Sequence, residues 1–313
     1  LHTRTYAQPG DRFDSFKLFI ADTSTQKSYQ VDADVIDYHG PPKLHWHADN
    51  DFFTYQKDDR GHQRTRIIAV DPSTGTSRAI VDERSPTFIN QIKYYSHYSA
   101  DGKQLIWASE RSGWNHLYTY ELKTDKETDK DAGKVSHAIT SGQWAVKKVV
   151  SLQEAEGYLI FSAVGTQPGE DPYHEHYFRV NLDGSGLTKL TEGDGTHNIK
   201  LSPGNKYLID EYSRIDLPPI HTLRNARTGK LICHLETADI SKLKQLGFSL
   251  PERFVAKGRD GKTDIYGMVY RPRIYDPKHS YPVVEYIYAG PHDSHVPKSF
   301  MTRMRMFHLA ELG

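Results

Sequence analysis

One design, an alternating strand run straight into a tight polar turn, is used five times along this chain. It appears as Lys17-Leu-Phe-Ile-Ala-Asp-Thr-Ser-Thr25, Arg66-Ile-Ile-Ala-Val-Asp-Pro-Ser-Thr-Gly75, Leu117-Tyr-Thr-Tyr-Glu-Leu-Lys-Thr-Asp125, Tyr177-Phe-Arg-Val-Asn-Leu-Asp-Gly-Ser-Gly186 and His221-Thr-Leu-Arg-Asn-Ala-Arg-Thr-Gly229. The turns recur roughly every 45 to 60 residues, within or just beyond the period of propeller blades. A unit of that size cannot bury its faces alone, so the repeat itself demands stacked neighbours.

The last four copies are each preceded by a second hairpin. Tyr98–Ser109 and Ile199–Asp210 place Asp-Gly and Gly-Asn between strands, residues that accept the positive φ of a two-residue turn. Leu44–Thr54 and Val149–Phe161 share the layout, and a fourth strand returns at Arg78–Val81, His137–Thr140, Leu187–Leu190 and Leu231–His234. The sequence therefore predicts a mainly β chain of four full four-stranded propeller blades and a partial one within the first 32 or so residues. A chain that starts inside a blade is expected to be a fragment or a processed form. No signal-like segment precedes Leu1 to tell the compartment.

From about Ala238 the pattern changes. Apolar residues at 240, 243 and 246 have near-helical spacing before Gly247, and Phe254–Pro272 reads as a hairpin turning at Asp260-Gly261. Tyr281-Pro-Val-Val-Glu-Tyr-Ile-Tyr-Ala-Gly-Pro291 then reads as a buried strand bounded by Pro282 and Gly290-Pro291. Residues 1–249 are expected to form the propeller part, and 250–313 the incomplete start of a second domain. In open α/β sheets, ligands gather beyond the carboxyl ends of strands. That places the phenol of Tyr288 either at a site or against a packed helix.

Lys plus Arg and Asp plus Glu are balanced at 40 each, without basic runs, which argues against a nucleic-acid partner. The apolar runs fall far short of the roughly 20 residues of a spanning helix. Cys233 is the single cysteine, so an internal disulfide and a cysteine metal cage are excluded, and its alternating surroundings mark a strand residue.

Catalytic motifs are scarce. No Gly-x-Ser-x-Gly elbow, Walker loop or dinucleotide glycine pattern occurs, and no cofactor is expected. His45/His47, His174/His176 and His292/His295 are the close histidine pairs, and the first, with i, i+2 spacing that puts both rings on one face of a strand, could bind zinc given a third ligand from elsewhere. In a chain with 17 histidines they also read as chance pairs, and no metal is expected. The loop Glu110-Arg-Ser-Gly-Trp-Asn-His116 has two readings. It can hold a ligand through Arg111 and Asn115, or it can serve the blade, with Trp114 as a cap and Arg111 bonding loop carbonyls.

Ser109-Glu-Arg-Ser-Gly-Trp-Asn-His-Leu-Tyr118, Lys262-Thr-Asp-Ile-Tyr-Gly267 and Tyr286-Ile-Tyr-Ala-Gly-Pro291 together resemble the dipeptidyl peptidase IV branch of the prolyl oligopeptidase family of serine peptidases. The resemblance implies an eight-bladed propeller capping an α/β-hydrolase domain, of which this chain covers the later blades and the first hydrolase strands. It implies that Tyr288 donates its hydroxyl to the oxyanion formed when serine attacks a peptide carbonyl. It further implies a parent enzyme releasing dipeptides, after proline or alanine, from short peptides with a free N-terminus. A periplasmic or secreted setting is implied too, and a homodimer is compatible with it. The catalytic serine, aspartate and histidine are expected beyond Gly313, so the chain alone is expected to be inactive. A non-catalytic propeller binding module and an inactive truncated product are the competing readings. No Glu-Glu pair, the family's grip on the substrate amino terminus, occurs here, and Phe88–Lys93 does not match the family's pocket residues one by one.

Overall fold

The computed structural model describes residues 8, 10–38, 40–47, 52–90, 95–122, 135–288, 294–302 and 305–312. The chain divides into two compact units, Leu1–Thr140 and Ser141–Gly313.

In the first unit, β1 (Phe19–Asp22) and β2 (Lys27–Gln30) form a two-stranded sheet. β3 (His45–Trp46), β4 (Phe53–Asp58), β5 (Arg64–Val70) and β6 (Ser77–Arg84) form an antiparallel sheet in chain order. β7 (Ser96–Tyr98), β8 (Gln104–Ser109), β9 (His116–Glu121) and β10 (Val135–Ala138) form another. Period-two alternation explains the packing, because the middle strands β4 and β5 are buried on both faces. Phe53, Tyr55, Ile68 and Val70 face Val31 and Ile36 in one core. Ile67 and Ala69 point the other way and share a second core with Leu105, Trp107 and Tyr120.

The second unit repeats the plan. β11 (Ala145–Gln153), β12 (Tyr158–Val164), β13 (His176–Asn181) and β14 (Thr188–Lys189) make one antiparallel sheet. β15 (Thr196–Leu201), β16 (Tyr207–Arg214), β17 (Leu217–Asn225) and β18 (Leu231–Thr237) make the next. Tyr158, Ile160, Tyr177, Leu190, Leu208 and Ala226 fill the core between them. Thus the four expected blades and the partial one are all present, and the fold is the mainly β propeller class read from the repeat.

The recurrent turn has a recurrent chemistry. An Asp or Asn oxygen accepts the main-chain N–H two residues on: Asp22 from Ser24 at 2.8 Å, Asp71 from Ser73 at 2.7 Å, Asp183 from Ser185 at 2.9 Å, and Asn225 from Arg227 at 2.9 Å. Two of these turns also touch the sheet before their own. Gly75 (φ 74°) lies so close to β2 that a Cβ would sit 2.9 Å from the Tyr29 ring, and its carbonyl accepts the Asp32 N–H at 2.8 Å. Gly229 (φ 71°) lies against β14, where a Cβ would collide with the Lys189 carbonyl oxygen and stand 3.0 Å from Leu190 Cα.

Beyond the blades, α1 (Ser241–Gln245) is the short helix expected before Gly247. β19 (Glu252–Lys257) and β20 (Asp264–Val269) form the expected hairpin. At its tip, Asp260 accepts the Thr263 hydroxyl at 2.5 Å and the N–H groups of Lys262 and Thr263, both at 2.9 Å, which together hold its carboxyl down to about 2. α2 (Arg305–Ala310) contributes Phe307, whose ring lies 4.9 Å from Phe248 and 4.5 Å from Tyr270.

One expectation fails. The stretch ending at Tyr288 is not a buried strand: residues 281–288 have no sheet partner, and Val283 is 92% and Tyr288 75% exposed. An apolar run becomes a strand only when neighbouring strands satisfy its N–H and C=O groups, and none of the described strands lies alongside.

Candidate functional site

The second unit holds a cleft of about 530 Å³. Glu170, Asp171 and His174, from the connection between β12 and β13, form one wall, and Arg214 at the end of β16 forms another. Arg253, Tyr266 and Lys298 close it from the segments after the blades. The charges are interlocked: Lys298 Nζ donates to Asp171 Oδ2 at 2.7 Å, and Arg214 bonds Asp194 at 2.7 Å and Asp216 at 2.9 Å. Arg253 shares Asp216 at 3.1 Å.

His174 stands in this wall and His176 behind it. His176 bonds Glu170 Oε2 through Nε2 at 2.9 Å, and His174 Nδ1 lies 3.5 Å from Asp194 Oδ1 and 4.0 Å from Glu170 Oε2. Burial pushes the His174 pKa down against the pull of Asp171 and Asp194. Burial, reinforced by His197, takes His176 down to about 3. Glu170 is pushed up by its own burial and by Asp194.

A buried cluster fixes the strand beneath. His197 Nδ1 meets Asp210 Oδ1 at 2.8 Å with both side chains fully enclosed, and Arg224 Nε lies 3.3 Å from the other carboxylate oxygen. His197 Nε2 lies 3.2 Å from the Gly193 carbonyl, one residue before Asp194. The cleft lining contains no serine, threonine or cysteine.

Tyr288 ends its extended segment with its ring centroid 5.5 Å from that of His295, which also lies 5.0 Å from Tyr286. The cleft lining does not include it. Residues 289–293, with His292 of the third histidine pair, fall outside the described residues, as do Gln91, Ile92 and Lys93.

Arg111 serves its blade. Its Nη2 donates to Glu83 and to the Tyr120 hydroxyl, its Nε donates to Ser109 Oγ at 2.9 Å, and its guanidinium lies 4.5 Å from the Tyr118 ring. Its partners are thus side chains of its own and a neighbouring sheet, not the expected loop carbonyls. Trp114 remains 41% exposed. His45 stacks on Tyr98 at 4.1 Å and His47 on Phe52 at 3.9 Å, and burial takes His47 down to about 4. Among the described residues, one group of three metal-ligating side chains is gathered, and it is Glu170, His174 and Asp194. Only His174 of these stands out in the sequence, because its partners lie 4 and 20 residues away with no motif linking them.

No described helix is long and apolar enough to cross a membrane.

Comparison with known proteins places these features. Human dipeptidyl peptidase 8 is 27% identical over 279 residues, covering 80% of this chain and 31% of that protein. Dipeptidyl-aminopeptidase B of Aspergillus niger is 28% identical over 183 residues, covering 56% of this chain and 19% of that protein. The chain thus spans about a third or less of these relatives. The crystal structure of Porphyromonas gingivalis dipeptidyl peptidase 4 shares the fold at a TM-score of 0.70 and 20% identity, over 95% of this chain and 40% of that one. The family profile described as the dipeptidyl peptidase IV (DPP IV) N-terminal region matches residues 1–219, and the chain, repeat by repeat, belongs to that family.

Proposed function

We propose that this chain is part of a serine-type exopeptidase that releases N-terminal dipeptides, after proline or alanine, from short peptides in a periplasmic or secreted setting. The observation that carries this reading is the family match over residues 1–219, joined by relatives named as dipeptidyl peptidases. Residues 1–249 supply the propeller, which restricts access to short peptides. Residues 250–313 begin the hydrolase domain and carry Tyr288.

The chemistry asked of Tyr288 suits a phenol. A neutral hydroxyl with an ordinary pKa near 10 remains a donor at pH 7. Aimed at the carbonyl oxygen, it stabilises negative charge that exists only after a nucleophile has added. The nucleophile, its base and the orienting acid come from sequence outside these 313 residues, which contain no Gly-x-Ser-x-Gly. Without them the chain polarises a carbonyl but does not cleave it.

The test is hydrolysis of Gly-Pro-p-nitroanilide by the full-length protein containing this chain, with and without Tyr288→Phe. Loss of one oxyanion donor should lower kcat on the order of a hundredfold or more with little change in KM. An unchanged kcat would return Tyr288 to packing. No turnover of any Xaa-Pro or Xaa-Ala substrate by the unmutated protein would leave a binding module.

A further inference from the structure

We propose that Glu170, His174 and Asp194 form a binding site for a divalent first-row transition cation, zinc above all, with a coordination position open to the cleft. The three ligand atoms, one from each side chain, lie within 4.8 Å of one another. His174 is 2% exposed, and its Nδ1 has no hydrogen-bond partner although it faces Asp194 Oδ1 at 3.5 Å and Glu170 Oε2 at 4.0 Å. Tetrahedral zinc with bonds near 2.0–2.1 Å holds its ligand atoms about 3.3 Å apart. The His174–Asp194 spacing is already close to that, while the three atoms together, within 4.8 Å of one another, have to draw in by up to about 1.5 Å.

A buried ring nitrogen left without a hydrogen-bond partner is an unfavourable arrangement. A cation bound by all three reverses the sign. The carboxylates are also held for the task from behind. Arg214 occupies Asp194 Oδ2 at 2.7 Å and leaves Oδ1 toward His174, whereas His176 meets Glu170 on Oε2 itself at 2.9 Å, so the ion would share that oxygen through its second lone pair. Arg214, Arg253 and Lys298 each bond a carboxylate, Asp194, Asp216 and Asp171, and Lys189 acts on Glu170, so the positive charges round the site are matched by four carboxylates. An imidazole with two carboxylates and one open position suits zinc, cobalt or manganese better than calcium or magnesium, which take all-oxygen shells. The ion would tie the connection between β12 and β13 to that between β14 and β15, fixing one wall of the cleft. It would also leave a place for water or a ligand carboxylate.

The experiment is titration of EDTA-treated, dialysed protein with zinc chloride in a calorimeter, with cobalt absorption as a second readout. One equivalent should bind, with visible cobalt bands and a rise in Tm. His174→Ala, Glu170→Gln and Asp194→Asn should each weaken binding at least tenfold. Absence of saturable binding to the unmutated protein would overturn the proposal. Equal binding by the variants would do so too, since zinc would then be held elsewhere among the 17 histidines. If His174→Ala does not fold, the two near-isosteric carboxylate variants decide. Peptide hydrolysis plays no part in the readout, so the proposal stands or falls apart from the peptidase reading.

Discussion

Replacing Asp210 with alanine tests the buried cluster under the cleft most directly. The carboxylate is wholly enclosed, accepts from His197 at 2.8 Å and neutralises Arg224, itself 4% exposed. Removing one partner of a buried ion pair typically costs about 3–5 kcal/mol, since the other charge is left uncompensated. Here the lower end is expected. Arg224 keeps the Gly229 carbonyl at 3.0 Å, Thr222 Oγ1 at 3.3 Å and the exposed Glu192 at 3.2 Å, so its charge is only partly abandoned. Asp210→Ala should therefore destabilise by about 3 kcal/mol, and Asp210→Asn, which keeps an acceptor for His197, by about 1–2 kcal/mol. Urea unfolding followed by tryptophan fluorescence measures both. The reasoning fails if alanine costs under about 1 kcal/mol, or if the two variants are equal, for then neither charge nor hydrogen bond is being used.

The remaining predictions concern the frame. Gly229→Ala combines positive φ with a backbone collision, and should cost about 2–4 kcal/mol by thermal unfolding; a neutral result would show that the turn shifts freely. Trp107→Ala, at a fully buried site, should cost about 3–5 kcal/mol in urea, and a loss under about 1 kcal/mol would deny it a core role. Stability should fall as pH drops from 6.5 toward 4, because His47 and His176 titrate at about 4 and about 3 when folded but near 6.5 when unfolded. In that window the unfolded chain binds more protons, for a loss of up to a few kcal/mol. The raised Glu170 acts with the opposite sign and softens the slope. Urea midpoints at pH 7 and pH 5 compare them, and an equal or higher midpoint at pH 5 would contradict the assignment.

The blades were legible because each carries its own punctuation. Alternation names the strands and the Asp or Asn turn ends them, so Arg66–Gly75 or His221–Gly229 declares its structure locally. The stretch 281–288 misled for the opposite reason: its composition is that of a strand, but strand formation is decided by partners, which local sequence cannot supply. The cleft was invisible for a third reason. Glu170, Asp194, Arg214 and Lys298 come together only through sheet stacking and the segments after the blades, and none sits in a spaced motif. Arg111 kept two readings, ligand-holding and structural, because a guanidinium reads the same whether its carboxylate belongs to a substrate or, as here, to Glu83.

Gly75 and Gly229 do the same thing in different blades: each brings the main chain of a turn onto the last strand of the sheet before it. At Gly229 the spacing between consecutive sheets is therefore a main-chain distance, while at Gly75 it is set by the Tyr29 ring together with the main-chain hydrogen bond from Asp32. Core residues can then be exchanged wholesale while the interval between blades stays constant. At these two points a hydrogen atom, not a side chain, lets one sheet's turn approach the sheet before it.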